Sequence, residues 1–417
     1  MILSKIKNRK SVLAWSLYDF ANQPFTTIIV TFIYSAFFVE VIAPDPQVGT
    51  TMWANAVSIT AIIVSVLSPI LGAIADNGGY RKFFLIFFTW ICAAFSILLY
   101  FPTSGDVFLA LTLFIIANIA FEMGTVFYNS YLKDLSEKAD VGKISGFAWG
   151  IGFVGGLLAL FLCLYLFPNL SEFEIRKINV LVGVWFIIFS IPTFLFLKDR
   201  KKEKLTKKHF SNSFSAIKKT LKSISHYKHT SQFLIARLFF NDGLITIFAL
   251  GGIYAVGTIN FSLEEVMLLG IVLNIAAAIG SFLFGYLEDK VGGKRVINLT
   301  LIILIFATLL AYFAPETDFP KELFWIAGVL IGLMVGPNQS CSRSLMTQLT
   351  PKEKQNEFFG FFALTGKATS FLGPFLFGII TSFYSQQMAL WVVIVFFVIG
   401  LLLFNRINFA KNNMFVK

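Results

Sequence analysis

The sequence predicts an all-α membrane protein with twelve transmembrane helices in two six-helix bundles related by pseudo-symmetry. Three observations carry this. The 417 residues are 57% hydrophobic and 14% charged, where soluble domains carry about 25% charge. Twelve apolar stretches each reach the roughly 20 residues needed to cross a bilayer core of about 30 Å. One charged loop occurs twice, at equivalent places in the first six and the last six stretches.

The spans read, in order, 11–40, 51–75, 83–101, 107–132, 143–167, 177–197, 230–258, 264–288, 295–313, 322–348, 357–382 and 386–405. An even number puts both termini on one side, and the basic residues choose it. Lys5, Lys7, Arg9 and Lys10 precede span one, Arg81 and Lys82 follow span two, and Lys133, Lys138 and Lys143 follow span four. Lys290, Lys294 and Arg295 follow span eight, and Lys352 and Lys354 follow span ten. The opposite loops hold only Arg176, Lys177 and Lys321 among several acids. By the positive-inside rule both termini are cytoplasmic. The net charge of +11 is therefore a topology signal and not a nucleic-acid footprint.

A basic stretch over 198–229 divides the spans into bundles at 1–197 and 230–417. Within it Phe214, Ile217, Leu221 and Ile224 recur at helical spacing beside Lys218, Lys219 and Lys222. That pattern fits an amphipathic helix on an anionic leaflet, with a solvated basic linker as the alternative.

The repeated loop is "GAIADNGGYRK" at 72–82 and "GYLEDKVGGKR" at 285–295. It matches Gly72 to Gly285, Asp76 to Asp289, Gly79 to Gly292 and Arg81 to Lys294. The glycines allow a tight turn and close helix approach, and the aspartate can pair with a base or cap a helix. Glu288 stands where the first copy has Ala75. Fainter matches join "AWSLYDFANQPF" (14–25) to "ARLFFNDGLITI" (236–247), and "GFAWGIGF" (146–153) to "GFFALTGK" (360–367). A parallel repeat of two halves follows.

The twinned G-x-x-x-D-x-x-G-x-[RK]-[RK] loop resembles the signature loop of the major facilitator superfamily. Together with "YNSYL", "SGFAWGIGFVGG", "QSCSRS" and "EFFGFFALTGKATSFLGP", the chain is similar to the bacterial "unknown major facilitator" branch. That branch is related to autophagy-linked vacuolar amino-acid effluxers. The resemblance implies the major facilitator fold and gating loops at Gly72, Asp76, Gly79, Arg81, Gly285, Asp289, Gly292 and Lys294. It also implies a central pathway lined by spans one, four, seven and ten.

Charges inside the spans mark the candidate site, because an intramembrane charge costs about 2.5–3.5 kcal/mol and belongs in a protein interior or watery cavity. Asp19 is in span one, Glu122 in span four, and Arg237 and Asp242 in span seven. Lys367 lies about ten residues into span eleven, roughly 15 Å deep at 1.5 Å per residue. It serves either as the fixed positive charge of a transport site or as a structural ion pair. The Gly-Lys pair at 366–367 is not a phosphate loop, since its spacing to Gly360 is wrong and Ala368 replaces the hydroxyl. Asn22, Asn129, Asn241, Asn338 and Gln339 add donors and acceptors. Trp15, Tyr18 and Trp149 could stack on a solute or fill the core. Arg343, nearer the end of span ten, is expected to snorkel, and Asn274 to serve packing.

Several classes are excluded. Cys92, Cys163 and Cys341 are isolated in apolar stretches, and the three histidines share one basic loop. No disulfide, metal site or cofactor is expected, nor an enzyme, and no small-residue cleavage site suggests a removable signal peptide. The expected function is a secondary transporter, monomeric, in the cell inner membrane if bacterial. It would move a small polar or zwitterionic solute, amino-acid-like, by alternating access. Protons are its candidate coupling ion, through Asp19, Glu122 or Asp242. The alternatives are a transporter-like receptor or enzyme, a channel, or an exporter of amphipathic compounds.

Overall fold

A computed structural model describes residues 8–137, 139–169, 171–199, 227–367 and 369–408. The amphipathic helix expected over 214–224 lies outside the described residues. Among the described residues there is no strand, and twelve helical stretches are long and apolar enough to cross a membrane.

The spans are α1 (Arg9–Pro24), α2 (Pro46–Gly78), α3 (Arg81–Leu98), α4 (Val107–Ser130), α5 (Val141–Leu166) and α6 (Glu172–Phe196). The second half gives α7 (Lys228–Gly257), α8 (Leu263–Val291), α9 (Gly293–Phe313) and α10 (Pro320–Leu349). Span eleven is two helices, α11a (Gln355–Lys367) and α11b (Leu372–Phe383), and α12 is Gln386–Asn405.

Local chemistry sets these ends. Ser171 begins α6 with a capping box to Glu174, and Ser262 begins α8 with one to Glu265. Ser385 caps α12 through Met388 N. Such caps satisfy backbone N–H groups that have no partner inside the helix. Gly79, at φ 66°, ends α2 in the left-handed conformation that glycine adopts without strain. Span one does not continue as a regular helix. After Pro24 it widens into a π-helix over Phe25–Phe32, closed by Ile33 N donating to Ile28 O.

By its contacts the chain divides into two compact units. The first comprises Met1–Ser136, Ile151–Ser215 and Lys352–Ala363; the second comprises Glu137–Gly150, Ala216–Pro351 and Leu364–Lys417. Each unit therefore holds a segment from the opposite half of the sequence. In the first, α3 packs on α4 and α6, α1 on α6, and α2 on α4. In the second, α10 packs on α8 and α9, and α12 on α7, α9 and α11b. Outward faces are apolar: Phe83, Phe87 and Trp90 of α3 are exposed, as lipid contact requires.

Candidate functional site

Span eleven breaks where its lysine lies. Lys367 ends α11a, and the chain turns over Thr369–Phe371 before α11b begins. At the break, Ser370 N and Oγ donate to Lys367 O, and Leu372 N donates to Thr369 O at 2.7 Å. A cation at a helix C-terminus sits favourably against the unsatisfied carbonyls. Broken spans recur at transporter binding sites for the same reason.

The polar stretch of α7 lies against this break. Arg237 is 6% exposed, and its Nη1 donates to Thr365 Oγ1 at 3.5 Å. Asn241 Nδ2 donates to Gly366 O at 3.2 Å, and Asn241 Oδ1 accepts from Gln339 Nε2 at 3.3 Å. Asp242 is 0% exposed, and its Oδ1 accepts from Thr369 Oγ1 at 3.1 Å. Its Oδ2 has no hydrogen-bond partner among the described residues. So Arg237, Asn241, Asp242 and Gln339 come together in the second unit, on the backbone and hydroxyls that flank Lys367. The sequence anticipated those residues, but not the break or the part of Thr365 and Thr369. Two hydroxyls beside Lys367 were the available signal.

Asn338 is set apart. It is fully buried, and its Nδ2 donates to Thr300 Oγ1 of α9 at 2.9 Å, so it ties helices within the unit. Asn274 bonds its own helix at Gly270 O, in keeping with a packing role.

In the first unit, Gly152 of α5 lies directly against Asp19 of α1. Asn22 is buried one turn further along, while Glu122 and Asn129 are half-buried on α4. Trp15 and Tyr18 are completely enclosed. Trp15 Nε1 donates to Tyr128 O at 3.0 Å, and Tyr18 Oη shares a 2.7 Å bond with Thr89 Oγ1. Both rings stack on Tyr128, at 4.6 and 4.7 Å. That leaves them no face for a solute, which corrects the stacking role in favour of packing: "YNSYL" supplies the ring that fills the space.

The repeated loops build two matching sites. Asp76 accepts from Asn356 Nδ2 at 2.6 Å and Glu357 N at 2.9 Å, at the start of α11a. Asp289 accepts from Gly142 N at 2.9 Å and Lys143 N at 3.1 Å, at the start of α5. Each carboxylate thus caps a helix whose first N–H groups would otherwise be unsatisfied. Gly72 packs on the Asn356 backbone and Gly360 on Pro69, while Gly285 packs on Gly146. Gly79 and Gly292, with φ of 66° and 89°, turn the two loops. Burial raises the carboxyl of Asp140, beside the second cap, above its ordinary range.

The basic residues do not match as the alignment suggests. Arg81 donates to Asp134 Oδ2 at 2.6 Å and Gln355 Oε1 at 3.3 Å, and lies 3.6 Å from the Tyr131 ring centroid. Lys294 instead donates to Asn405 O and Ile407 O at the end of α12. That is the task of Lys82, which donates to Leu197 O at the end of α6. Arg343 does not snorkel. It is 2% exposed, and its Nε and Nη2 donate to Ser145 Oγ and O at 3.0 and 2.8 Å. Among the described residues no His, Cys, Asp and Glu group could hold a metal.

Comparison with known proteins follows the same lines. The family described as "Vacuole effluxer Atg22 like" matches residues 49–414. The chain belongs to that family. The MFS-type transporter YxiO of Bacillus subtilis is 28% identical over 404 residues, covering 94% of this chain and 93% of that protein. Autophagy-related protein 22 of Coccidioides immitis is 24% identical, covering 79% of this chain and 67% of that protein. Two solved structures, each 13% identical, share the fold. The human organic anion transporter MFSD10 gives a TM-score of 0.74, covering 95% of this chain and 99% of that one. The proton:xylose symporter XylE gives 0.70, covering 94% of each. This Atg22-like chain is therefore an integral, multi-pass membrane transporter of the major facilitator kind, and its relatives are transporters rather than enzymes.

Proposed function

We propose that the chain is a secondary active transporter that moves a small zwitterionic, amino-acid-like solute by alternating access, with both termini cytoplasmic. The reading rests on one observation: span eleven breaks at Lys367 beside buried Arg237, Asn241 and Asp242. Charges of both signs at one depth suit the two ends of a zwitterion, and buried charge in a span is expensive unless it is used. Lys367 and Arg237 receive the solute's carboxylate, and Asp242 its ammonium group. Asp242, whose second carboxylate oxygen has no hydrogen-bond partner among the described residues, is the candidate carrier of the coupling proton. Asp19 and Glu122, in the first unit, are the other candidate carriers of the coupling proton.

Thermal stability of the purified protein, measured against a panel of amino acids, tests this. A solute at 100 times its Kd stabilises by about 2.7 kcal/mol, which is easily read. The shift should vanish in Lys367→Met and persist at altered affinity in Lys367→Arg. A methionine variant that is folded and still binds normally refutes the assignment. Uptake indifferent to an imposed pH gradient refutes proton coupling.

A further inference from the structure

The polar side chains of α7 hold span eleven on both sides of its break. Before the break, Asn241 Nδ2 donates to Gly366 O in the last turn of α11a, and Gln339 of α10 holds Asn241 in turn. At the break, Thr369 Oγ1 donates to Asp242 Oδ1 at 3.1 Å. Beyond it, Gly373 in the first turn of α11b lies against Thr246 Oγ1 and Asp242 O, and a Cβ there would collide with the hydroxyl. Thr246 Oγ1 itself donates to Asp242 O at 2.7 Å.

The two grips differ in kind. The first joins a neutral amide to a backbone carbonyl. The second ends on a fully buried carboxylate whose other oxygen has no hydrogen-bond partner among the described residues. Hydrogen bonds to an ionised group are roughly twice as strong as neutral ones, so this bond decides which Asp242 oxygen is taken and which is left. The neighbouring hydroxyl cannot do the same work, because Ser370 Oγ is spent on Lys367 O.

We propose that Thr369 makes the site selective for a solute that carries an amino group. Its hydroxyl fixes the Asp242 carboxylate by one oxygen and leaves the other to receive the solute's ammonium group. Thr369 is a positioning residue, since it acts through Asp242. By the same bond it ties the start of α11b to α7, while α11a is tied separately through Asn241. This rests on the zwitterion reading of the site, in which Lys367 and Arg237 take the solute's carboxylate. A solute without the amino group binds by that carboxylate alone and is indifferent to Thr369.

Thermal-shift titration of the purified protein tests the selectivity. Each amino acid of the panel is paired with the carboxylic acid that lacks its amino group. Thr369→Val keeps the shape and removes the donor. It should weaken the amino acid about tenfold or more, as loss of a hydrogen bond to a charged group predicts, and leave the paired acid within about twofold. Thr369→Ser, which restores the donor, should return the amino acid to within about threefold of the parent. Equal weakening of both members of a pair overturns the proposal, because a merely structural change would do that. Unchanged affinity for both overturns it too. A second measurement needs no solute. Spin labels at the exposed positions Phe375 of α11b and Phe248 of α7, with the native cysteines replaced by alanine, report the spacing of these helices. Thr369→Val should broaden that distance distribution, Thr369→Ser should restore it, and Asn241→Leu should leave it as in the parent. A parental distribution in Thr369→Val, or equal broadening in Asn241→Leu, overturns the separate grips. If no amino acid of the panel shifts the parent, the zwitterion reading fails and the selectivity with it. If amino acids bind and Thr369→Val does not discriminate, only this inference fails.

Discussion

Asp76 and Asp289 do the same thing in different company. Each caps the first turn of a span, and each lies beside a glycine crossing that brings two helices within backbone contact. Around Asp76 the further contacts come from Arg81, Asp134 and Tyr131. Around Asp289 they come from Lys143, with Glu288 packed on the same Gly142. The helix cap and the glycine crossing are the shared core of the device, while the placement of the base is free to vary. A buried guanidinium needs a counter-charge and acceptors, but it can enter from a loop or from a helix.

The largest expected effect attacks what the two regions share. Asp76→Asn and Asp289→Asn each replace a charged cap, a bond class worth about 1.5–3 kcal/mol. Each should cut counterflow of the amino acid found by thermal shift by roughly tenfold or more, with normal membrane insertion by surface labelling. Full activity in either variant would show that the caps do not act in transport. Next are the crossings. A Cβ on Gly360 would stand 2.5 Å from Ser68 O, and one on Gly285 2.8 Å from Gly142 O. Gly360→Val and Gly285→Val should each lower the unfolding temperature, at a cost of about 1–3 kcal/mol typical of overpacking. Equal losses would support equivalent crossings, and a loss in one half alone would break the parallel.

The bases separate the regions. Arg81→Lys keeps the charge but loses the forked contact with Asp134 and Gln355 and the stacking on Tyr131. It should cost about 1–2 kcal/mol in thermal stability, whereas Lys294→Arg, at a pair of carbonyl oxygens, should cost less than about 0.5 kcal/mol. The reverse order would restore the simple match of Arg81 to Lys294. The smallest effect serves as a control away from the loops. Ser171→Ala and Ser385→Ala each remove a helix cap and should lose about 1 kcal/mol alike.

Much of this was legible in the chain. The spans follow from length and apolarity, and the repeated loop survives as matched aspartates and positive-φ glycines. The break at Lys367 was not, because Ala368, Thr369 and Ser370 carry no proline or glycine, and apolar periodicity runs on past them. The π-helix after Pro24 was legible as a kink but not as a change of register. Arg343 was misjudged from depth alone: its fate depends on Ser145, distant in sequence. For Trp15 and Tyr18 the sequence left stacking on a solute and core filling both open, because composition cannot tell a ring that lines a cavity from one stacked on Tyr128. The roles of Lys82 and Lys294 depend on where α6 and α12 end, which the loop sequence does not contain.

The segment Lys352–Ala363 completes the first unit, and this bears on how the protein is made. Asp76 and the backbone N–H that it caps, at Glu357, are 281 residues apart in sequence. At a synthesis rate of about 5–20 residues per second, Asp76 waits on the order of tens of seconds for its helix to emerge. Through that interval the nascent first half holds a carboxylate and a small-residue face with no native partner. Membrane chaperones have that long to find it, and a truncated chain ending before residue 352 would present the same surface permanently to the quality-control proteases.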